Sequence, residues 1–227
     1  MKFSSVILAI VVLLVGRRSG FSQGFVNLDF SSANVPGSTP SGSLVSITNA
    51  IPGWVGNIGG IPQTTVLYND LYLGTATLAI LSSNVGGIPG NAYTVVLQAG
   101  NYGGPTNSPA SIAQTALIPT NAESILFTAS LPYAAGWQVT INNQVIPVSQ
   151  VGTVGSFYGL YAGDVSDFAG QVQQLEFTAL SGSGSTVNLD LDSISFSSIP
   201  VPEPSELTLT ALGALVLGLR RWRNCPR

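Results

Sequence analysis

All seven lysines and arginines of this chain lie at its two ends, Lys2, Arg17 and Arg18 in front and Arg220, Arg221, Arg223 and Arg227 behind, and the chain has no histidine. Between Ser19 and Leu219 nothing carries positive charge, yet all ten acids fall there: Asp29, Asp70, Glu123, Asp164, Asp167, Glu176, Asp190, Asp192, Glu203 and Glu206. With no cation to pair with, each carboxylate must be solvated, hydrogen-bonded or metal-bound. The lone cysteine, Cys225, lies beyond this interval, so no internal disulfide can brace it. Whatever folds here is held by backbone pairing and apolar packing. The charged fraction is 7%, against roughly 25% for an ordinary soluble domain.

The same feature removes whole classes of function. Nucleic-acid binding needs lysine or arginine to neutralise phosphates, so no nucleic-acid partner is expected. A histidine base, a lysine Schiff base, an arginine clamp and every triad built on them are absent from the interval. Zinc chemistry fails with neither histidine nor an accessible cysteine set.

From Gly24 to Ser198 the apolar residues come in short runs rich in Val, Ile, Leu, Thr, Tyr and Phe, with no sustained helical period. Strands are expected at 25–30, 64–68, 75–81, 92–99, 111–118, 124–128, 137–141, 144–148, 156–161, 171–179 and 186–196. Asn142-Asn143 should close a tight hairpin, and the Gly- and Pro-rich stretches 85–91 and 100–109 read as longer loops. About ten strands in one domain predict an all-β, two-sheet sandwich or jelly roll. Removing the apolar ends leaves this single body at 23–199, between a leader at 1–22 and a tail at 200–227.

Lys2 followed by the apolar run from Val6 to Val15 reads as a signal peptide, too short to span a membrane. Gly20-Phe21-Ser22 places small residues for cleavage before Gln23. Arg17 and Arg18 oppose translocation, so an uncleaved N-terminal anchor is the alternative. At the other end Val201-Pro202-Glu203-Pro204 precedes an apolar run, Leu207 to Leu219, and then Arg220-Arg221-Trp222-Arg223. The prolines keep the segment extended, the run inserts as a transmembrane helix, and Arg220, Arg221 and Arg223 stop it at the cytoplasmic face.

This tail resembles that of the PEP-CTERM proteins of Gram-negative bacteria. The resemblance implies export by the Sec translocon, transient anchoring in the inner membrane, and sorting by exosortase to the outer cell surface or extracellular matrix. There it implies association with exopolysaccharide. The helix is short for the family, and Asn224 to Arg227 are extra. Parts of the body are similar to calcium-containing jelly-roll modules related to galactose-binding and carbohydrate-binding domains: Asn27-Leu28-Asp29-Phe30, Ile51-Pro52-Gly53-Trp54, and Leu189-Asp190-Leu191-Asp192-Ser193-Ile194. Ser111-Ile112-Ala113-Gln114 and Phe168-Ala169-Gly170-Gln171 resemble phrases in PEP-CTERM bodies.

Asp190 and Asp192 alternate along one strand, so both face the same side. They are either solvated or part of a Ca²⁺ site, for which hard oxygen ligands suit. The jelly-roll resemblance implies a structural calcium joining the first and last strands, with Asp29 and Asp192 as ligands and Asp190 in reserve, weakened because Ser31 stands where the modules often carry Glu. Asp164-Val165-Ser166-Asp167 reads as a capped helical turn ending at Gly170. Trp54 and Tyr102 are the loop aromatics best suited to stack on glycans, the alternative function being a carbohydrate-binding module. Glu123 and Glu176 are the carboxylates a glycoside hydrolase would need, a third reading without a paired-acid motif. No catalytic residue is expected.

Overall fold

The computed structural model describes residues 24–71, 75–101, 108–130, 136–180 and 186–201. The expected signal peptide, Pro202, Glu203 and Pro204 of the sorting motif, the stop residues Arg220, Arg221 and Arg223, and Tyr102 lie outside the described residues.

Among the described residues fourteen strands and two short helical turns follow one another: β1 (Leu44–Ser46), α1 (Ile47–Ala50), β2 (Val55–Ile58), β3 (Ile61–Pro62), β4 (Thr65–Tyr68), β5 (Thr75–Ser82), β6 (Tyr93–Asn101), β7 (Ala110–Leu117), β8 (Ser124–Ser130), β9 (Trp137–Ile141), β10 (Gln144–Val145), β11 (Val148–Val154), β12 (Tyr158–Asp164), a 3-10 turn (Ser166–Phe168), β13 (Val172–Ala179) and β14 (Val187–Ser197). They form two sheets. One has eight strands in the order β1-β4-β5-β6-β14-β8-β12-β11, and the other has six in the order β10-β9-β13-β7-β2-β3. Among these pairs only β4 and β5 run parallel. The described residues therefore form a mostly-β, two-sheet sandwich.

Period-two alternation builds the layer between the sheets. Val95, Leu97 and Ala99 of β6, Leu189 and Leu191 of β14, and Ile125, Phe127 and Ala129 of β8 face Ile112 of β7 and Leu175, Phe177 and Ala179 of β13 in one core. Phe127 and Phe177 cross it edge to face at 5.1 Å between centroids, and Phe127 also stacks on Tyr161 of its own sheet and meets the edge of Trp137 from the other. Aromatic contacts of this kind take the bracing role that ion pairs and disulfides have elsewhere.

One expected strand is not a strand. Residues 25–30 alternate in polarity, but Asn27 and Phe30 sit at φ 51° and 52°, and the left-handed region cannot continue a pleat. Instead the segment runs as successive turns, with only Gly24 making an isolated bridge to Leu117. The expected strand 144–148 is divided between β10 and β11 at Pro147, which has no amide hydrogen to give a ladder. The hairpin at Asn142-Asn143 is as expected, with both residues at positive φ, 49° and 64°, as a type I′ turn requires.

Candidate functional site

The three motif pieces at 27–30, 51–54 and 189–194 meet at one corner of the sandwich. Gln114, buried on β7, ties the N-terminal segment in place. Its Oε1 accepts the Val26 N–H at 2.7 Å and its Nε2 donates to the Val26 carbonyl at 3.0 Å, the two-point pairing a neighbouring strand would give. Asn27 Nδ2 donates to the Pro52 carbonyl at 3.2 Å, and the Trp54 indole N–H donates to the Asn27 carbonyl at 3.1 Å. Gly53 permits this approach. It lies at φ +86°, and a Cβ there would meet Val26 Cγ2 at 2.5 Å. The Ile194 N–H then donates to the Leu28 carbonyl at 2.9 Å, fastening the same segment to β14.

These contacts settle where Trp54 points. It is 4% exposed and packs between Phe30 and Phe177, at 5.9 and 6.4 Å. Its ring is core, and the expected stacking of Trp54 on glycans is withdrawn. Among the described aromatics the exposed one is Phe157, 75% accessible in the turn before β12.

Asp192 sits in β14 at a bulge. Its partner across β8 is Thr128, and the register then slips before Ser195, with Ser193 at φ 53°. The slip changes the parity of the strand, so Leu191 and Ile194 both reach the core while Asp190 and Asp192 share the outer face. On that face the loop 83–92 folds back over Asp192. Ile88 is buried and its N–H donates to Thr94 Oγ1 at 2.8 Å, while Asn91 Nδ2 donates to Ser193 Oγ at 2.7 Å. Gly87, at φ +101°, lets the loop pass, since a Cβ there would meet Thr94 Oγ1 at 2.5 Å.

The result is a carboxylate with no exposed surface. Asp192 Oδ1 accepts the Ser193 N–H at 2.6 Å, but buried Oδ2 has no hydrogen-bond partner. Burial pushes its pKa up to about 7, and the charge of nearby Asp29 adds to the rise, while Asn91, the Ser193 N–H and Thr94 oppose it. Asp29 is exposed, and bonds from the Ser31 hydroxyl at 2.8 Å and the Ser31 N–H at 3.2 Å hold its own pKa below the usual value. The sequence-derived pair is thus brought together, one charge at the surface and one beneath it. Asp190 lies two residues away, beside Val96 and the Ser130 hydroxyl, and burial raises its pKa to about 6. Its negative charge, after burial, helps raise the pKa of Tyr158.

Whether this corner fits a hard divalent cation rests on Asp192 Oδ2. Leaving a buried carboxylate oxygen unpaired costs on the order of several kcal/mol. A cation between Asp29 and Asp192 would satisfy that oxygen and convert the repulsion of like charges into attraction. Asn91, bonded through its amide to the Ser193 hydroxyl, also reaches Asp192 as a donor. The donor set is all oxygen, as Ca²⁺ prefers.

The remaining candidates separate. Glu123 is exposed just ahead of β8 in the eight-stranded sheet, whereas Glu176 lies on β13 of the other sheet, between Leu175 and Phe177 that point inward. Glu176 therefore faces outward, and the two do not form a facing pair. The N-cap of the 3-10 turn is Val165 rather than the expected Asp164, which stands one residue earlier and accepts from the Ser166 N–H at 2.9 Å and the Ser166 hydroxyl at 2.7 Å, bonds that lower its pKa in that order. Gln114, Asn91 and Ser193 were not foreseen. No protein-family model matches the chain, and no curated protein matches it.

Proposed function

We propose that this chain is an exported, exosortase-sorted protein of the outer cell surface or extracellular matrix of a Gram-negative bacterium. Its body is a non-catalytic jelly roll with a structural or adhesive role, associated with exopolysaccharide. The observation that carries the reading is the order Val201-Pro202-Glu203-Pro204, apolar run, Arg220-Arg221-Trp222-Arg223. The body supports it by ending where the motif begins. β14 closes at Ser197, the Ser124 hydroxyl donates to the Ile199 carbonyl at 2.6 Å, and Val201 starts the motif. The reading of the body as non-catalytic rests on a span from Ser19 to Leu219 without lysine, arginine or histidine.

A structural Ca²⁺ held by Asp29 and Asp192 belongs to the same proposal, supported by the orphaned Oδ2 of Asp192. Bound there, it would supply charge compensation and a clamp between the N-terminal segment and β14. With Ser31 unable to act as a carboxylate ligand, the expected dissociation constant is on the order of 10⁻⁴ to 10⁻³ M. The carbohydrate-binding alternative is supported by one observation, the exposed ring of Phe157.

The sorting reading is tested in a host that makes exosortase, comparing the parent chain with a Pro202→Ala, Glu203→Ala, Pro204→Ala variant. The parent should appear as a shortened surface form, and the variant should stay with the inner membrane at full length. Equal shortening and surface display of both chains would overturn it.

A further inference from the structure

The two ends of the described chain leave the sandwich side by side. Gly24 bridges Leu117 at the end of β7, Phe25 meets Phe196 at 5.3 Å, and the Ile199 carbonyl accepts from Ser124 at the start of β8. Between them lies an apolar groove of about 310 Å³ whose lining includes Phe25, Leu28, Leu117, Pro119, Ile194 and Phe196. Beside it Val172 and Ile199 are 52% and 69% exposed. At the same end stand the exposed acids Glu123, Asp164 and Asp167.

We propose that this end of the sandwich is the face apposed to a lipid bilayer, and that the body stands on it with the turn at 155–157 directed away. The inference rests on the anchored precursor described above and adds its orientation. Segment 202–206 joins Val201 to the apolar run at Leu207, and segment 19–23 joins Arg18 to Gly24. Fully extended, each spans no more than about 22 Å. An insertion at either end therefore holds the same end of the body against the membrane, and insertion at both is compatible with a folded sandwich. β8 and β12 run antiparallel away from this end, pairing Ser124 with Asp164 near it and Ser130 with Tyr158 far from it. The strand rise over these seven residues puts the two ends of the pair about 20 to 24 Å apart.

The partner is a lipid surface, reached through the tethers. Glu123, Asp164 and Asp167 would repel anionic headgroups, so the apolar groove and Ile199 meet the interface because the chain is attached there, and a zwitterionic bilayer is the fitting probe.

The test uses the full chain with Cys225→Ser, reconstituted in phosphatidylcholine vesicles carrying acceptor-labelled lipid. One variant adds Asn121→Cys, in the exposed turn between β7 and β8, and another adds Ser156→Cys, in the exposed turn before β12. Each thiol carries a donor fluorophore. Thr120→Cys and Phe157→Cys serve as a second pair should either first variant misfold. Energy transfer to the bilayer should be several-fold stronger from the 120–121 position than from 156–157. Equal or reversed transfer in a chain that floats with the vesicles would overturn the orientation and leave the anchor standing. A chain that does not float would overturn both.

Discussion

Asp192 binds its proton more tightly in the folded chain than out of it, with a pKa near 7 against an unperturbed 3.8. The stability it contributes is therefore fully present below about pH 4 and is lost as pH rises through 7. Asp190, raised to about 6 by burial, adds in the same direction. Together they cost the cation-free protein on the order of several kcal/mol at pH 8. In chelator the midpoint of thermal unfolding should fall between pH 5 and pH 8, and millimolar calcium should restore more at pH 8 than at pH 5. Asp192→Asn should raise the midpoint at pH 8 in chelator and abolish the calcium response. A profile that rises to pH 8, or a variant as calcium-sensitive as the parent, would count against the site. The alternation of Asp190 and Asp192 on one face was legible in the sequence, and the charge of Asp29 does act on Asp192. What was not legible is the burial, because it comes from Ile88 and a loop more than a hundred residues upstream. Trp54 misled for a related reason. A Pro-Gly-Trp turn reads as surface, but the left-handed Gly53 turns the indole inward to the Asn27 carbonyl.

At the scale of elements, periodicity located the long strands and failed where a side chain replaces a ladder. Phe25, Val26, Leu28 and Phe30 have the composition of a strand, yet one glutamine side chain supplies the hydrogen bonds that hold Val26. Nothing in the local pattern distinguishes these cases, since Gln114 looks like a polar interruption in the alternate positions Ala110, Ile112 and Ala116 of β7. Gln114→Ala removes two part-buried bonds that hold Val26, so it should destabilise the chain by about 1 to 3 kcal/mol. Gln114→Glu keeps an acceptor for the Val26 N–H and loses the donor to its carbonyl, so at pH 4, where the new carboxyl is partly protonated, it should recover part of the loss. Chemical denaturation measures both, and an Ala variant as stable as the parent would show that the N-terminal segment is held by something else. Strands β1, β2 and β3 escaped for another reason. They are two to four residues long, sit between Gly42, Gly53 and Gly59-Gly60, and owe their form to the strands they pair with. In β11 the bulge between Gln150 and Gly152 breaks the alternation in mid-strand.

Across the folded body, between Arg18 and Arg220, the charge has one sign. Asp29, Asp70, Glu123, Asp164 and Asp167 are exposed, and the span between Arg18 and Arg220 contains no cation to offset them. The sequence carried this fully, along with the single all-β body, because both follow from composition and short-range pattern. The pairing of fourteen strands into sheets of eight and six did not follow, since it depends on contacts between distant segments. A surface of this kind repels an anionic matrix polymer in monovalent salt, where the Debye length of about 8 Å at physiological ionic strength still lets the exposed carboxylates act. Divalent cations reverse the sign of the interaction by bridging carboxylate to carboxylate, with hard oxygen ligands on both sides. The chain should therefore be retained on immobilised polygalacturonate in millimolar calcium and elute with chelator. Raising sodium chloride to 1 M without chelator should release it only in part, because inner-sphere bridges are not screened as free charges are. On an uncharged glucan, retention should be independent of calcium. Binding to the anionic polymer that persists in chelator would mean that adhesion comes from direct recognition of the glycan, with the exposed Phe157 as the first residue to change.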